Sequence, residues 1–172
     1  NIDPLELLSK VYTDYALPVR SNVDFTRRLE EFSNKESFIQ KNHPEILVDF
    51  GDIIGGDYHV NRNDELYFIP QGKRIKLTMD ESSSAVRSLL DMAFYLRHVA
   101  KPGDLLIIDE PELNLHPENQ RRIARLITRL LNIGIKVFIT THSDYIIKEL
   151  NTLIMLNQDE KHLKELAARE NY

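Results

Sequence analysis

Two short apolar runs, Leu105-Leu106-Ile107-Ile108 and "IKVFITT" at 135–141, enclose a segment whose residues Ile123, Leu126, Ile127, Leu130 and Leu131 keep the 3.6-residue period of a helix. A run that is apolar at every position suits a strand covered on both faces, the environment of a parallel sheet with helices packed on it. Pro117 fits the first turn of the intervening helix, and Gly134 lies just past its end. Strand, helix and strand in this order predict a parallel α/β layer. The same alternation predicts a helix over 84–100, with Leu89, Met92, Ala93, Leu96, Val99 and Ala100 as its apolar stripe and "KPGD" as its end. Further along it predicts a short helix at "SDYIIKEL", a last strand at "TLIML" and a charged helix over 159–170.

Ahead of this layer the texture differs. Phe25, Leu29 and Phe32 at i, i+4 and i+7 predict an amphipathic helix over about 22–40, broken by "NHPE". From residue 46 the runs "ILVDFGDIIGG", "DYHV", "ELYFI" and "RIKLTM" read as antiparallel strands, with Ile69-Pro70-Gln71-Gly72 as a connecting turn. The expected organisation is a helical N-terminal segment over 1–45 followed by the main domain over 46–172.

Composition narrows the function classes. The chain has 172 residues, 28% charged and 42% apolar, and no stretch approaches the roughly 18 apolar residues of a membrane span. Without cysteine there is no disulfide framework and no thiolate zinc site. With no membrane span and no signal-like start, the expected compartment is the cytoplasm. The net charge of -5 gives no global attraction to nucleic acid, so any DNA contact would be local.

The chemistry gathers at the strand ends. Asp109 and Glu110 close the first apolar strand, and Thr140, Thr141 and His142 close the second. Ligands of open α/β sheets bind at that carboxyl edge, and neighbouring strands would turn both clusters into one crevice. Two adjacent carboxylates repel unless a hard cation sits on one of them; the other is then free to act as a general base on water.

"LLIIDEP" resembles the Walker B strand of ABC-type ATPases. "DEPELNLHPENQ" resembles the form found in the RecF, SMC and OLD-like branch, and "TTHS" resembles that superfamily's switch-histidine loop. The resemblance covers roughly residues 46–157. It implies the C-terminal half of an ABC-ATPase-like P-loop NTPase domain, α/β in class, with parallel strands flanked by helices and a small antiparallel β region. It implies that Asp109 helps to hold Mg²⁺, that Glu110 polarises the attacking water, and that His142 contacts the γ-phosphate of ATP. Asn114 and His116 would belong to the turn after Walker B, near the dimer interface in relatives. Ser84-Ala85-Val86-Arg87 takes the place of the Ser-Gly-Gly-Gln signature, without its glycines. Ser83, Ser84 and Arg87 would then meet ATP bound to a second copy, because in this superfamily the signature of one subunit covers the nucleotide of the other. The helix start also suits phosphate through its free N–H groups, although simple N-capping uses the same atoms.

One departure is large: no GxxxxGK[ST] phosphate loop occurs in the sequence. "QGKR" at 71–74 has Tyr67 where the first glycine belongs and Arg74 where Ser or Thr belongs. The expectation is therefore part of a longer ATPase that binds ATP poorly by itself. It would dimerise through a nucleotide sandwich and work in DNA repair, chromosome maintenance or antiphage defence, with DNA and a separate nuclease subunit as further partners. "ESSSAVRSLLDMAFYLRH" resembles the Septu-like defence ATPases. Two alternatives are a nucleotide-gated scaffold with little hydrolysis and a metal-dependent nuclease using Asp109, Glu110 and Glu112. Glu112 itself stands open between an active-site acid and a charged turn residue. Arg121, Arg125 and Arg129 make a basic stripe better explained by pairing with nearby acids than by DNA. His43, His59, His98 and His162 have no metal-ligand spacing.

Overall fold

The structure, a computed structural model, describes residues 35–60 and 66–157. Its elements are α1 (Phe38–Asn42), α2 (Pro44–Ile54), β1 (Gly56–Val60), β2 (Leu66–Pro70), β3 (Leu77–Thr78), α3 (Ser84–Ser88) and α4 (Leu90–Phe94). A π-helical turn (Tyr95–Val99), β4 (Leu105–Asp109), α5 (Pro117–Asn132), β5 (Lys136–Thr140) and α6 (Asp144–Leu156) complete it. The fold is mixed α/β: an antiparallel sheet in the order β1-β2-β3 and a parallel pair β4-β5.

The parallel pair follows from the sequence as expected. Pro117 opens α5 and Gly134, at φ 88°, lets the chain reverse after it. The Ile135 amide then bonds the Leu130 carbonyl at 3.0 Å, and the Lys136 amide bonds Asp104 at 2.8 Å, which aligns β5 beside β4. α5 buries Ile123, Ala124, Leu126, Ile127 and Leu130, and α6 packs along it. Leu106, Ile108, Val137 and Ile139 turn towards this core. The opposite face does not meet the expectation of cover on both sides: Leu105, Ile107 and Phe138 are 62%, 67% and 59% exposed. Leu105 and Ile107 border an open cavity that Met92 and Tyr95 also line.

Four other expectations are corrected. "ILVDFGDII" is not a strand but the helix α2, because Pro44 supplies its first turn, Gly55 ends it at φ 73°, and Ile46, Phe50 and Ile53 bury one face. "RIKLTM" shrinks to the two-residue β3. The turn before it lies one residue later than expected, closed by the Lys73 amide on the Pro70 carbonyl at 3.0 Å, so that Gly72 takes the left-handed position at φ 70°. "TLIML" is not a last strand; it continues α6, whose buried residues Ile146 and Glu149 keep the helical period.

The helix expected at about 22–40 lies mostly outside the described residues, as does the charged helix at 159–170. Where it is described, Ser37 is extended and caps α1, so no helix runs through it. The Ser37 hydroxyl donates to the Leu96 carbonyl at 2.6 Å, and its amide donates to Arg97 at 2.9 Å. These bonds satisfy carbonyls at the end of the 84–100 segment. That segment is helical but broken at Leu89 and widened into a π turn, where the Ala100 amide reaches back to Tyr95 at 2.9 Å.

The antiparallel sheet is tied to the helical segment that follows it. Arg97 bonds Asp57 at 2.7 Å and the Tyr58 carbonyl at 3.1 Å, and the Tyr58 hydroxyl donates to the Val86 carbonyl. Asn119 of α5 donates to the Ile53 carbonyl at 2.8 Å. The framework that carries the strand ends is thus fixed from both sides.

Candidate functional site

The register of β4 and β5 sets Asp109 opposite Thr140. The Thr140 hydroxyl donates to the Asp109 carboxylate. One residue on, the Glu110 amide donates to the Thr140 carbonyl at 3.1 Å and lies 3.2 Å from its hydroxyl, so the two chains stay joined past the end of the sheet. Glu110 leaves the strand in a left-handed conformation, φ 46°. A residue with a Cβ accepts that region at a cost of roughly 1–2 kcal/mol. The consequence is a side chain that turns to the loop after β5: its Oε1 stands 3.6 Å from Nε2 of the exposed His142. That separation is too long for a hydrogen bond and short enough for a charge contact with an imidazolium.

Glu112 turns inward. Its Oε1 accepts the Thr141 hydroxyl at 2.8 Å and the His142 amide at 2.6 Å, bonding the loop after β4 to the loop after β5. Its Oε2 is buried with no hydrogen-bond partner among the described residues. Burial pushes this carboxyl up, but the bonds from His142 and Thr141 outweigh it and hold the group below the ordinary glutamate range. The rest of the loop is built from tight turns, Leu113 to Glu110 at 3.1 Å and Leu115 to Glu112 at 3.0 Å, with Asn114 at φ 62°. Leu115 is buried and anchors it. His116 is the cap of α5, its Nδ1 accepting the Glu118 amide at 3.4 Å. Ser143 caps α6 and donates to Gln120 at 2.6 Å, which fixes where the second loop ends.

A cavity of about 480 Å³ opens beside the carboxylates, lined by Met92, Tyr95, Leu105, Ile107, Asp109 and Glu110 among others. Asp109 and Glu110 share this cavity, and His142, which does not line it, stands beside Glu110. Ser83, Ser84 and Arg87 do not line this cavity. Ser83 caps α3 through the Val86 amide at 3.2 Å, and Arg87 folds back on the Met79 and Ser82 carbonyls and the Ser84 hydroxyl. Sequence reasoning set Thr140 and Thr141 at this edge without giving them work. Both hydroxyls hold carboxylates, and the signal for that is their place opposite "DEPE".

The oxygen donors at Asp109 suit a hard cation such as Mg²⁺. No group of three or more His, Asp or Glu among the described residues forms a full cage. Mg²⁺ commonly takes one or two carboxylates and completes its shell with waters and phosphates, so a single exposed Asp109 fits that use.

A family model described as "AAA domain, putative AbiEii toxin, Type IV TA system" matches residues 3–148. The chain belongs to this AAA-domain family. The AAA domain is also similar to solved SMC ATPase structures. One, from work on ATP-driven dimerization and DNA stimulated activation of SMC ATPases, is 22% identical, with a TM-score of 0.49, over 74% of this chain and 76% of that one. A second, the SmcHead bound to the C-winged helix domain of ScpA, is 21% identical, with a TM-score of 0.47, over 64% of this chain and 38% of that one. No curated protein matches the AAA domain. No helix among the described residues is long and apolar enough to cross a membrane.

Proposed function

We propose that this AAA domain supplies the hydrolytic half of an ATPase site, with water as the phosphoryl acceptor. The observation that carries the reading is the carboxylate pair Asp109–Glu110 at the end of β4, held by Thr140 and facing His142. Asp109 would hold Mg²⁺, which when bound neutralises charge on the phosphate oxygens. Glu110 accepts a proton from the attacking water, and its left-handed backbone, φ 46°, takes it out of the strand. His142 lies within reach of Glu110 and contacts the γ-phosphate. These groups act by position and charge, as phosphoryl transfer requires.

The phosphate-holding loop is supplied by a piece that packs on the bare face of β4 and β5. Two features support this. Leu105, Ile107 and Phe138 present an apolar surface that water penalises, and the same face ends in Asp109 and Thr140. Whatever covers it is therefore carried to the carboxylates. Ser83, Ser84 and Arg87 do not line that cavity, and on this reading they meet the nucleotide of a second copy in a head-to-tail dimer. On this reading DNA and a separate nuclease subunit are further partners, in DNA repair, chromosome maintenance or antiphage defence. A nuclease built on Asp109, Glu110 and Glu112 is disfavoured, because Glu112 spends its accessible oxygen on Thr141 and His142.

The test is Glu110→Gln in the full-length protein. ATP turnover should fall by roughly 10²–10⁴-fold, the usual contribution of a general base. ATP should remain bound and the dimer should persist on size exclusion. Unchanged turnover would remove Glu110 from the mechanism.

A further inference from the structure

Glu112 bonds the loop after β4 to the loop after β5, and its cost is visible. One oxygen takes two donors from a loop 29 and 30 residues away, while the other is buried with no hydrogen-bond partner among the described residues. A buried acceptor without a partner is a penalty that an apolar side chain of similar shape would avoid. The two bonds to the other oxygen are set against this cost, and what they hold is the position of the second loop. The Glu112 carboxylate grips the backbone of His142, and the His142 ring stands 3.6 Å from Glu110. The tight turns from Glu110 to Leu113 and from Glu112 to Leu115 make the two glutamates one rigid unit. The spacing between His142 and Glu110 is thus set through Glu112.

We propose that Glu112 is a positioning residue for hydrolysis: it latches the loop after β5 to the loop after β4 and holds His142 over Glu110. The proposal rests on the ATPase reading above. Thr141 is the second point of the latch, since its hydroxyl shares the same carboxylate oxygen and also accepts the Ser143 amide at 3.0 Å. The latch and the cap of α6 therefore move together, which couples the carboxylate pair to the whole of that helix.

Glu112→Ala and Glu112→Gln separate a latch from a brace. Glutamine keeps an acceptor oxygen for both donors; alanine keeps none. In amide hydrogen exchange of this chain, His142 should exchange roughly tenfold faster in Glu112→Ala, in line with the loss of one hydrogen bond, and near the wild-type rate in Glu112→Gln. In the full-length protein, Glu112→Ala should lower kcat by about tenfold or more with KM unchanged, as expected when a catalytic group is misplaced. Glu112→Gln should restore most of kcat. Wild-type exchange at His142 in Glu112→Ala overturns the latch, as does faster exchange with kcat and KM both at the wild-type level. Absence of turnover in the wild-type full-length protein is a different result: it overturns the ATPase reading itself and the proposal with it.

Discussion

At the scale of single residues, the basic stripe on α5 shows how charge is put to structural use. Arg129 pairs with Asp49 of α2, Arg121 lies 3.9 Å from Glu118 and over the Tyr145 ring, and Arg125 bonds Glu149 at 2.6 Å. Glu149 is 5% exposed, so this last pair lies against the core and differs from its neighbours. Removing Arg125 takes a counter-charge from the buried Glu149, whereas replacing both partners of such a pair with apolar groups is often nearly neutral. Arg125→Met should therefore destabilise the chain by about 2–3 kcal/mol, a figure kept below the fully buried case because Arg125 is partly solvated. The double variant Arg125→Met with Glu149→Leu should recover most of that loss, both read by urea unfolding. The sequence led to pairing with acids but could not say which arginine meets a buried acid, because that depends on how α6 lies against α5. Asp109, Glu110 and His142 were legible for the opposite reason: parallel strands of equal length bring their ends together whatever surrounds them. Glu112 was not, since its direction depends on left-handed backbone at Glu110 and Asn114 that residue types alone do not announce.

At the scale of elements, the misjudged segment is instructive. "ILVDFGDII" is rich in β-branched residues, and that composition favours a strand. Its apolar spacing, Ile46, Phe50 and Ile53, is helical, and Pro44 and Gly55 are the start and stop of a helix. Period and capping outweighed composition here, and the same holds for "TLIML" in α6. The glycine pair after α2 divides two duties. Gly55 supplies the left-handed turn with open space around it, whereas Gly56 begins β1 where the partner strand is closest. A Cβ at Gly56 would stand 2.3 Å from the Ile69 carbonyl oxygen, 2.5 Å from the Phe68 ring and 2.9 Å from the Pro70 Cα. Two of these contacts are backbone and cannot rotate away. Gly56→Ala should therefore separate β1 from β2 and cost about 1–3 kcal/mol or more, the range of overpacked sites. Thermal unfolding measures it, with Gly55→Ala as the comparison: a conformational cost of roughly 1 kcal/mol and no clash.

At the scale of the whole molecule, the bare face of the parallel pair is the dominant feature. The sequence said that "LLII" should be covered on both sides; it could not say that only one cover lies within the described residues. A two-stranded parallel pair has little support of its own, and apolar side chains exposed beside Asp109 mark a surface made for something else. Replacing Ile107 and Phe138 together with threonine tests this, because threonine keeps the preference for strand while removing apolar area. In the chain alone the change should be close to neutral, within about 0.5 kcal/mol, since both side chains already face water. Binding of a hydrophobic dye should fall. On the proposed function, the same double variant of the full-length protein should lose ATP turnover, because the phosphate-holding loop would no longer be seated over Asp109. The combination discriminates: a variant that folds as well as wild type, binds less dye and hydrolyses ATP at the wild-type rate would show that this face is not where the site is completed.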